Sequence, residues 1–161
     1  MSGSDNFGAA IVELAPVRLY GKRISTSYAT ASQDCPALWH EFAKNVGLDE
    51  FAPCSGVAQS YGVSIMTGPE SFDYMAAVEL APGKPVPAGM CEFALPGGPY
   101  VKCRCPSLQD LEAVYGFIYE SPWVKENSYF ETDFERPCFE GYTAEYLKSG
   151  TFDVYAPLKA K

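Results

Sequence analysis

The segment Tyr100-Val101-Lys102-Cys103-Arg104-Cys105-Pro106-Ser107-Leu108-Gln109-Asp110-Leu111-Glu112-Ala113-Val114-Tyr115 changes its periodicity at one point. Before Pro106, Val101, Cys103 and Cys105 alternate with Tyr100, Lys102 and Arg104, the period of a strand with one buried face. The Cys-x-Cys pair therefore points inward. After Ser107, Leu108, Leu111, Val114, Tyr115 and Ile118 recur at helical spacing, and Ser107 with Asp110 resembles a capping box. The pattern predicts a helix over Leu108 to Tyr119, ended by Ser121-Pro122.

The same sentence is written earlier in the chain. Asp34 at the N-cap and Pro36 in the first turn open a second helix, over Cys35 to Val46. Leu38, Trp39, Phe42, Ala43 and Val46 form its apolar stripe, and Gly47 is its stop. Short runs rich in β-branched and aromatic residues flank both helices: Ala10 to Leu14, Leu19 to Ser27, Tyr61 to Met66, Phe72 to Leu80, Met90 to Leu95, Tyr100 to Cys105, Cys138 to Thr143 and Phe152 to Pro157. These are the expected strands. Each half reads as strand, strand, helix, then two strands, and Pro82-Gly83-Lys84-Pro85 between them is too short for an interdomain linker. The expectation is an α+β fold, a tandem repeat of two strand-helix-strand-strand units (about 10–81 and 87–159) with pseudo-twofold symmetry. The halves would share one antiparallel sheet, carry both helices on one face and leave a central ligand groove between them.

Size and charge bound what such a fold does. At 161 residues and 17.6 kDa the chain 1–161 is read as one domain. No apolar run is long enough for a membrane span. Met1 to Gly8 lack the basic and apolar regions of a secretory signal, which favours a cytoplasmic address. In that compartment Cys35, Cys54, Cys91, Cys103, Cys105 and Cys138 read as small buried hydrophobes rather than a disulfide framework. The net charge of −8 argues against direct nucleic acid binding. The acidity concentrates between Asp110 and Glu145, where nine carboxylates face only Lys125 and Arg136; such a window is either a solvated surface or a field that attracts cations.

Several chemistries lack their parts. The single histidine, His40, sits at the polar edge of its helix, and no nucleophile elbow or Ser-x-x-Lys signature accompanies it. Cys103-x-Cys105 has no matching second pair for zinc, and Gly97-Gly98-Pro99 is a turn rather than a phosphate cradle. No cofactor or metal is expected. What remains is Glu140, alone in the apolar strand Cys138-Phe139-Glu140-Gly141-Tyr142, where alternation sets it on one face with Tyr142. A buried carboxylate there requires a partner, either an internal cation or a ligand; the alternative is a solvent-facing strand residue. Aromatic faces beside one carboxylate suit an organic cation, and Trp39, Tyr61, Tyr74, Tyr115, Trp123 and Tyr142 are the candidate walls.

Read in order, Val12-Glu13-Leu14, Leu38-Trp39-His40-Glu41-Phe42, Tyr61-Gly62-Val63, Phe72-Asp73-Tyr74, Pro87-Ala88-Gly89, Phe139-Glu140-Gly141-Tyr142 and Val154-Tyr155-Ala156-Pro157-Leu158-Lys159 resemble the gyrase-inhibitor-like effector-binding domain. That domain is also the ligand-binding part of AraC-type multidrug-sensing regulators, and the chain is especially similar to the stand-alone, integron-cassette type that binds cationic drugs. The resemblance spans about Ala10 to Lys159. It implies a central groove whose floor carries the acidic residue of a Phe-Glu-Arg-Tyr type motif, which falls on Glu140. Gly141 stands where Arg is usual. Asp133-Phe134-Glu135-Arg136 resembles the same motif, with Pro137 in place of Tyr, so Glu135 is a competing candidate; Tyr142 favours Glu140.

The resulting expectation is a small-molecule binding protein for amphipathic organic cations or drug-like effectors. It would act alone, as a homodimer or with a separately encoded regulator. Two alternatives follow from the resemblance and the charge. One is hydrolysis of reactive cyclopropane-bearing compounds, with Glu140 as base and Tyr115 as acid or hydrogen-bond donor. The other is an acidic protein-interaction module such as a gyrase inhibitor.

Overall fold

A computed structural model describes residues 7–44, 58–81, 83–133 and 135–160. Nine strands are found among them: β1 (Ala10–Leu14), β2 (Val17–Ser27), β3 (Ser60–Met66), β4 (Ser71–Glu79), β5 (Cys91–Leu95), β6 (Gly98–Cys105), β7 (Phe130–Thr132), β8 (Cys138–Tyr142) and β9 (Phe152–Ala160). Four helices join them: α1 (Ala31–Lys44), α2 (Leu111–Glu120), α3 (Trp123–Asn127) and α4 (Ala144–Ser149). The strands form one antiparallel sheet in the order β1-β6-β9-β8-β3-β4-β2-β5, with β7 paired to β9. The fold is therefore mixed α+β, a large antiparallel sheet with few helices. None of the described helices is long and apolar enough to cross a membrane.

The strand order forces a curl. Six strand spacings separate β1 from β2, roughly 29 Å in a flat sheet. Yet only Ala15 and Pro16 connect them, a reach of at most about 11 Å. Pro96 and Gly97 tie β5 to β6 in the same way. The sheet bends until its ends meet, and one face becomes an enclosed core containing Leu19, Tyr61, Val63, Met75, Tyr100, Phe139 and Tyr155. Arg136 fastens the closure. Its guanidinium donates to the carbonyls of Gly97 (2.8 Å), Pro99 (3.2 Å) and Leu158 (2.5 Å), pairs with Asp133 at 3.0 Å and lies over the Tyr100 ring at 5.3 Å. Gly98, at φ +130°, leaves room for it; a Cβ there would stand 2.8 Å from Arg136 Nη1.

The other face carries the helices. Leu38 and Phe42 of α1 pack on Tyr20, Phe72, Tyr74, Ala76 and Val78, while Val114 and Ile118 of α2 pack on Val101, Cys103, Cys105, Val154 and Ala156. Across the paired strands these sheet residues all fall on one side, so α1 and α2 flank the central strands β3 and β8 from the same face.

Several local expectations change. α1 starts four residues before Cys35: the carbonyl of Thr30 accepts the Gln33 and Asp34 amides, and the Asp34 carboxylate accepts from Thr26 of β2 at 2.8 Å rather than capping. Pro36 lies inside the helix, and the expected end at Val46 and Gly47 is outside the described residues, as is Cys54. The second helix opens as a 3-10 turn over Leu108–Asp110, where Ser107 bonds the Asp110 side chain at 2.8 Å with no side-chain cap to the backbone. α3, α4 and the three-residue β7 are additions, each too short to show a period. The other five cysteines are free thiols.

Candidate functional site

Glu140 lies on β8, opposite Gly62 of β3 on one side and Val154 of β9 on the other, on the face that α1 and α2 flank. It is 5% exposed. Three phenols donate to its carboxylate: Tyr142 to Oε1 at 2.7 Å, Tyr74 of β4 to Oε1 at 3.2 Å, and Tyr115 of α2 to Oε2 at 3.2 Å. The Trp39 indole N–H, from α1, donates to the Tyr74 hydroxyl at 2.9 Å, which leaves that hydroxyl's own proton for Glu140. Both helices and both halves of the sheet thus converge on one carboxylate.

The electrostatics are those of an uncompensated charge. Burial pushes the Glu140 carboxyl above its ordinary value, and the hydrogen bonds from Tyr142, Tyr74 and Tyr115 pull it part of the way back. Among the described residues no Lys or Arg forms an ion pair with it. Burial, foremost, holds the phenols of Tyr74, Tyr115 and Tyr142 well above their usual range, so they remain neutral donors. A carboxylate offers about four lone-pair sites, of which the phenols occupy three. The thiols nearby are held protonated: burial, with the Glu140 charge second, pushes Cys35 up to about 12 and Cys138 to about 11.

Glycine makes the arrangement possible. A Cβ on Gly62 would fall 2.2 Å from the Tyr74 hydroxyl and 2.9 Å from Glu140 Oε1. At Gly141 a Cβ would meet Ala58 Cβ and Tyr155 Cε1, both at 3.2 Å, on the enclosed side of the sheet. The space in which a longer side chain at 141 would start is therefore filled by Tyr155, whose ring stacks on Phe139 at 4.5 Å.

Of the expected site residues, Glu140, Trp39, Tyr74, Tyr115 and Tyr142 come together. Tyr61 does not. It is paired with Gly141 and Ala77, one residue out of phase with Gly62, so its ring enters the enclosed core and its hydroxyl donates to Glu79. Trp123 is also elsewhere: it opens α3 and packs on Phe117 at 6.0 Å, on the flank of α2 opposite Tyr115. Glu135 is exposed, and its neighbour Arg136 serves the sheet closure, which leaves Glu140 as the carboxylate on the inter-helix face. His40 is exposed. The expected open groove is closed over Glu140 by aromatic side chains: Trp39 meets Tyr142 edge-on at 5.5 Å, and Tyr142 in turn contacts Tyr146 and Phe152. A separate depression of about 240 Å³ lies at the C-terminal end of α2, between Ile118, Pro122, Val124 and Thr132. Residues not foreseen at the site are Gly62, Cys35, Cys138 and Tyr119. Tyr119 was legible as the i+4 neighbour of Tyr115, with which it stacks at 6.3 Å. No group of three or more metal-ligating side chains is placed to hold a metal among the described residues.

Solved structures share this architecture. SAV2435 bound to tetraphenylphosphonium is similar over 94% of this chain and 93% of its own, with a TM-score of 0.72 and 18% identity. The integron cassette protein VCH_CASS2, from the mobile metagenome of Vibrio cholerae, gives a TM-score of 0.66 at 15% identity over 94% and 96%. The C-terminal domain of EcmrR gives 0.59 at 14% identity over 95% and 98%. At these identities the likeness is one of fold. No curated protein matches the chain. Residues 10–159 match the family model of the GyrI-like small molecule binding domain, and the chain belongs to that family.

Proposed function

We propose that the protein binds amphipathic organic cations, with Glu140 as the counter-charge and Trp39, Tyr74, Tyr115 and Tyr142 as the aromatic enclosure. The observation that carries this reading is a carboxylate 5% exposed, hydrogen-bonded by three neutral phenols and without an ion pair among the described residues. A scaffold residue in that position would be better replaced by an apolar one. A ligand cation supplies the missing charge, and the ring faces add roughly 0.5 to 2 kcal/mol per contact. Because the rings cover the carboxylate, the ligand enters by displacing them, taking the place of the Trp39–Tyr142 contact. Selection then depends on charge and apolar bulk rather than on a rigid outline, which gives broad selectivity.

The strand order supports the duplicated construction that belongs to this reading. Outward from the β3–β8 junction, the runs β3-β4-β2 and β8-β9-β6 place their strands alike, with α1 and α2 in matching positions. The binding site lies where the two runs meet. In a reducing cytoplasm such a module would act alone, as a homodimer or with a separately encoded regulator.

The test is a titration of the protein with tetraphenylphosphonium, read by tryptophan fluorescence, beside a neutral molecule of similar shape. The cation is expected to bind and the neutral molecule to bind far more weakly; equal affinity would overturn the role of charge. A second reading rests on the 3.2 Å contact between Tyr115 and Glu140 Oε2 together with the upward-shifted Glu140 carboxyl. That pair suits water addition across a strained cyclopropane, with Glu140 as base and Tyr115 as proton donor. Turnover of such an electrophile that is lost in Glu140→Gln would favour it.

A further inference from the structure

Along β3 the helix-side residues become steadily more open. Gly62, opposite Glu140, is buried; Ser64, opposite Cys138, is half-buried; Met66, beyond the first residue of β8, is 47% exposed. Tyr28, the first residue of the turn after β2, is 62% exposed, packs its ring on Phe72 at 5.4 Å and donates its hydroxyl to Met66 Sδ at 3.6 Å. On the opposite wall α2 runs in the same direction. Tyr115 touches Glu140 and, through its hydroxyl, Cys138 at 3.9 Å; Tyr119 stacks on it one turn further on. Burial foremost, with Cys138 next, pushes the Tyr119 phenol up. Of the four exposed large hydrophobic side chains described, Tyr28 and Met66 are the two that adjoin each other.

We propose that Tyr28, Met66 and Tyr119 form a second, apolar subsite where the inter-helix face opens to solvent beyond the rings that close over Glu140, and that it receives the extended arm of a ligand whose cationic end is held at Glu140. The inference rests on the reading of Glu140 as the cation site and goes beyond it by setting the ligand's shape. Met66 lies four residue steps along the strand from Gly62, so the arm spans roughly 13 Å. Its occupant is the hydrocarbon or aromatic tail of an elongated monocation. The floor beneath it, Ser64 and Cys138, is small, and the thioether of Met66 adapts to varied tails. Compact cations would fill only the Glu140 end.

Calorimetric titration with methyl-, butyl- and decyltriphenylphosphonium, below the concentration at which the last self-associates, tests this on the full chain. In the wild type affinity is expected to climb with arm length, by up to about fourfold per fully buried methylene. The double variant Tyr28→Ser, Met66→Ser is expected to flatten that climb while holding the methyl compound within about twofold. The pair Tyr28→Phe, Met66→Leu, which keeps the apolar area, should restore it, and this guards against misfolding as the cause. Glu140→Gln should lower all three compounds by a common factor. An unchanged climb in the serine double variant would overturn the apolar subsite and leave the Glu140 reading standing. Failure of the methyl compound to bind the wild type would remove both.

Discussion

Replacing Glu140 by glutamine separates the residue's part in binding from its part in stability, because the two should move in opposite directions. Gln keeps the shape and removes the charge. A cationic centre seated about 4.5 Å from the carboxylate, at an effective dielectric constant of about 20, is held by roughly 3.7 kcal/mol, or about 500-fold in affinity. A neutral ligand of the same shape loses none of this. For the fold itself, Tyr142 and Tyr74 can still donate to the amide oxygen at the Oε1 position, while the amide N–H₂ faces Tyr115, whose hydroxyl must turn to accept. Losing charge assistance at three hydrogen bonds costs about 1 kcal/mol each. Against that, the variant is relieved of a desolvated carboxylate, a burden of several kcal/mol. The net change is therefore within about 2 kcal/mol, near zero or stabilising at neutral pH. The direction follows from linkage: burial raises the Glu140 carboxyl in the folded state. Wild-type stability attributable to this group is full below the unfolded value and declines as pH rises from there through the folded value. The variant should lack that decline. Titration calorimetry with a monocation and a neutral analogue, together with thermal melts across pH, measures both quantities. Equal affinity losses for the two ligands, or a destabilisation beyond about 3 kcal/mol, would refute the argument, since the carboxylate would then be a structural keystone.

Three further outcomes are expected. Because a cation favours ionised Glu140, affinity should rise with pH up to the folded value of that carboxyl, which burial holds above the ordinary 4.5, and level off beyond it, with proton release on binding below it. Titrations in two buffers of different ionisation enthalpy detect the proton, and a flat profile would contradict the coupling. Gly62→Ala should drive the Tyr74 hydroxyl off Glu140, given a Cβ 2.2 Å from it, and weaken cation binding by tenfold or more with the overall circular dichroism retained. Arg136→Lys cannot reach three carbonyls and Asp133 at once; about 2 kcal/mol of stability should be lost in denaturant melts while cation affinity is unchanged.

Alternation in β6 and the helical stripe after Ser107 placed Cys103 and Cys105 inward and Val114 and Ile118 on the sheet, as found. These are local properties, set by the chain's own period. Glu140 stood out for the same reason, as a lone carboxylate in an apolar strand. Its phenol Tyr142, two residues on, was legible from period two, and Tyr115 and Trp39 lay on helix faces. Tyr61 shows the limit. Its strand pattern reads as well with Tyr61 toward the helices as away from them; the pairing of Tyr61 with Gly141 and of Gly62 with Glu140 decides the matter. A period identifies which side chains share a face of one strand, whereas register against a strand nearly eighty residues away identifies which face of the common sheet that is. The curl is likewise a tertiary result. Ala15-Pro16 reads only as a turn until β1 and β2 prove to lie at opposite ends of the sheet, whereupon two residues of chain draw those ends together. Composition and periodicity thus determined the two long helices and the eight longer strands, the acidity and the lone carboxylate in an apolar strand. Long-range pairing decided that Tyr74 and Tyr115 join Tyr142 on Glu140 and that rings close over it, because those contacts are made between segments whose local sequences carry no information about one another.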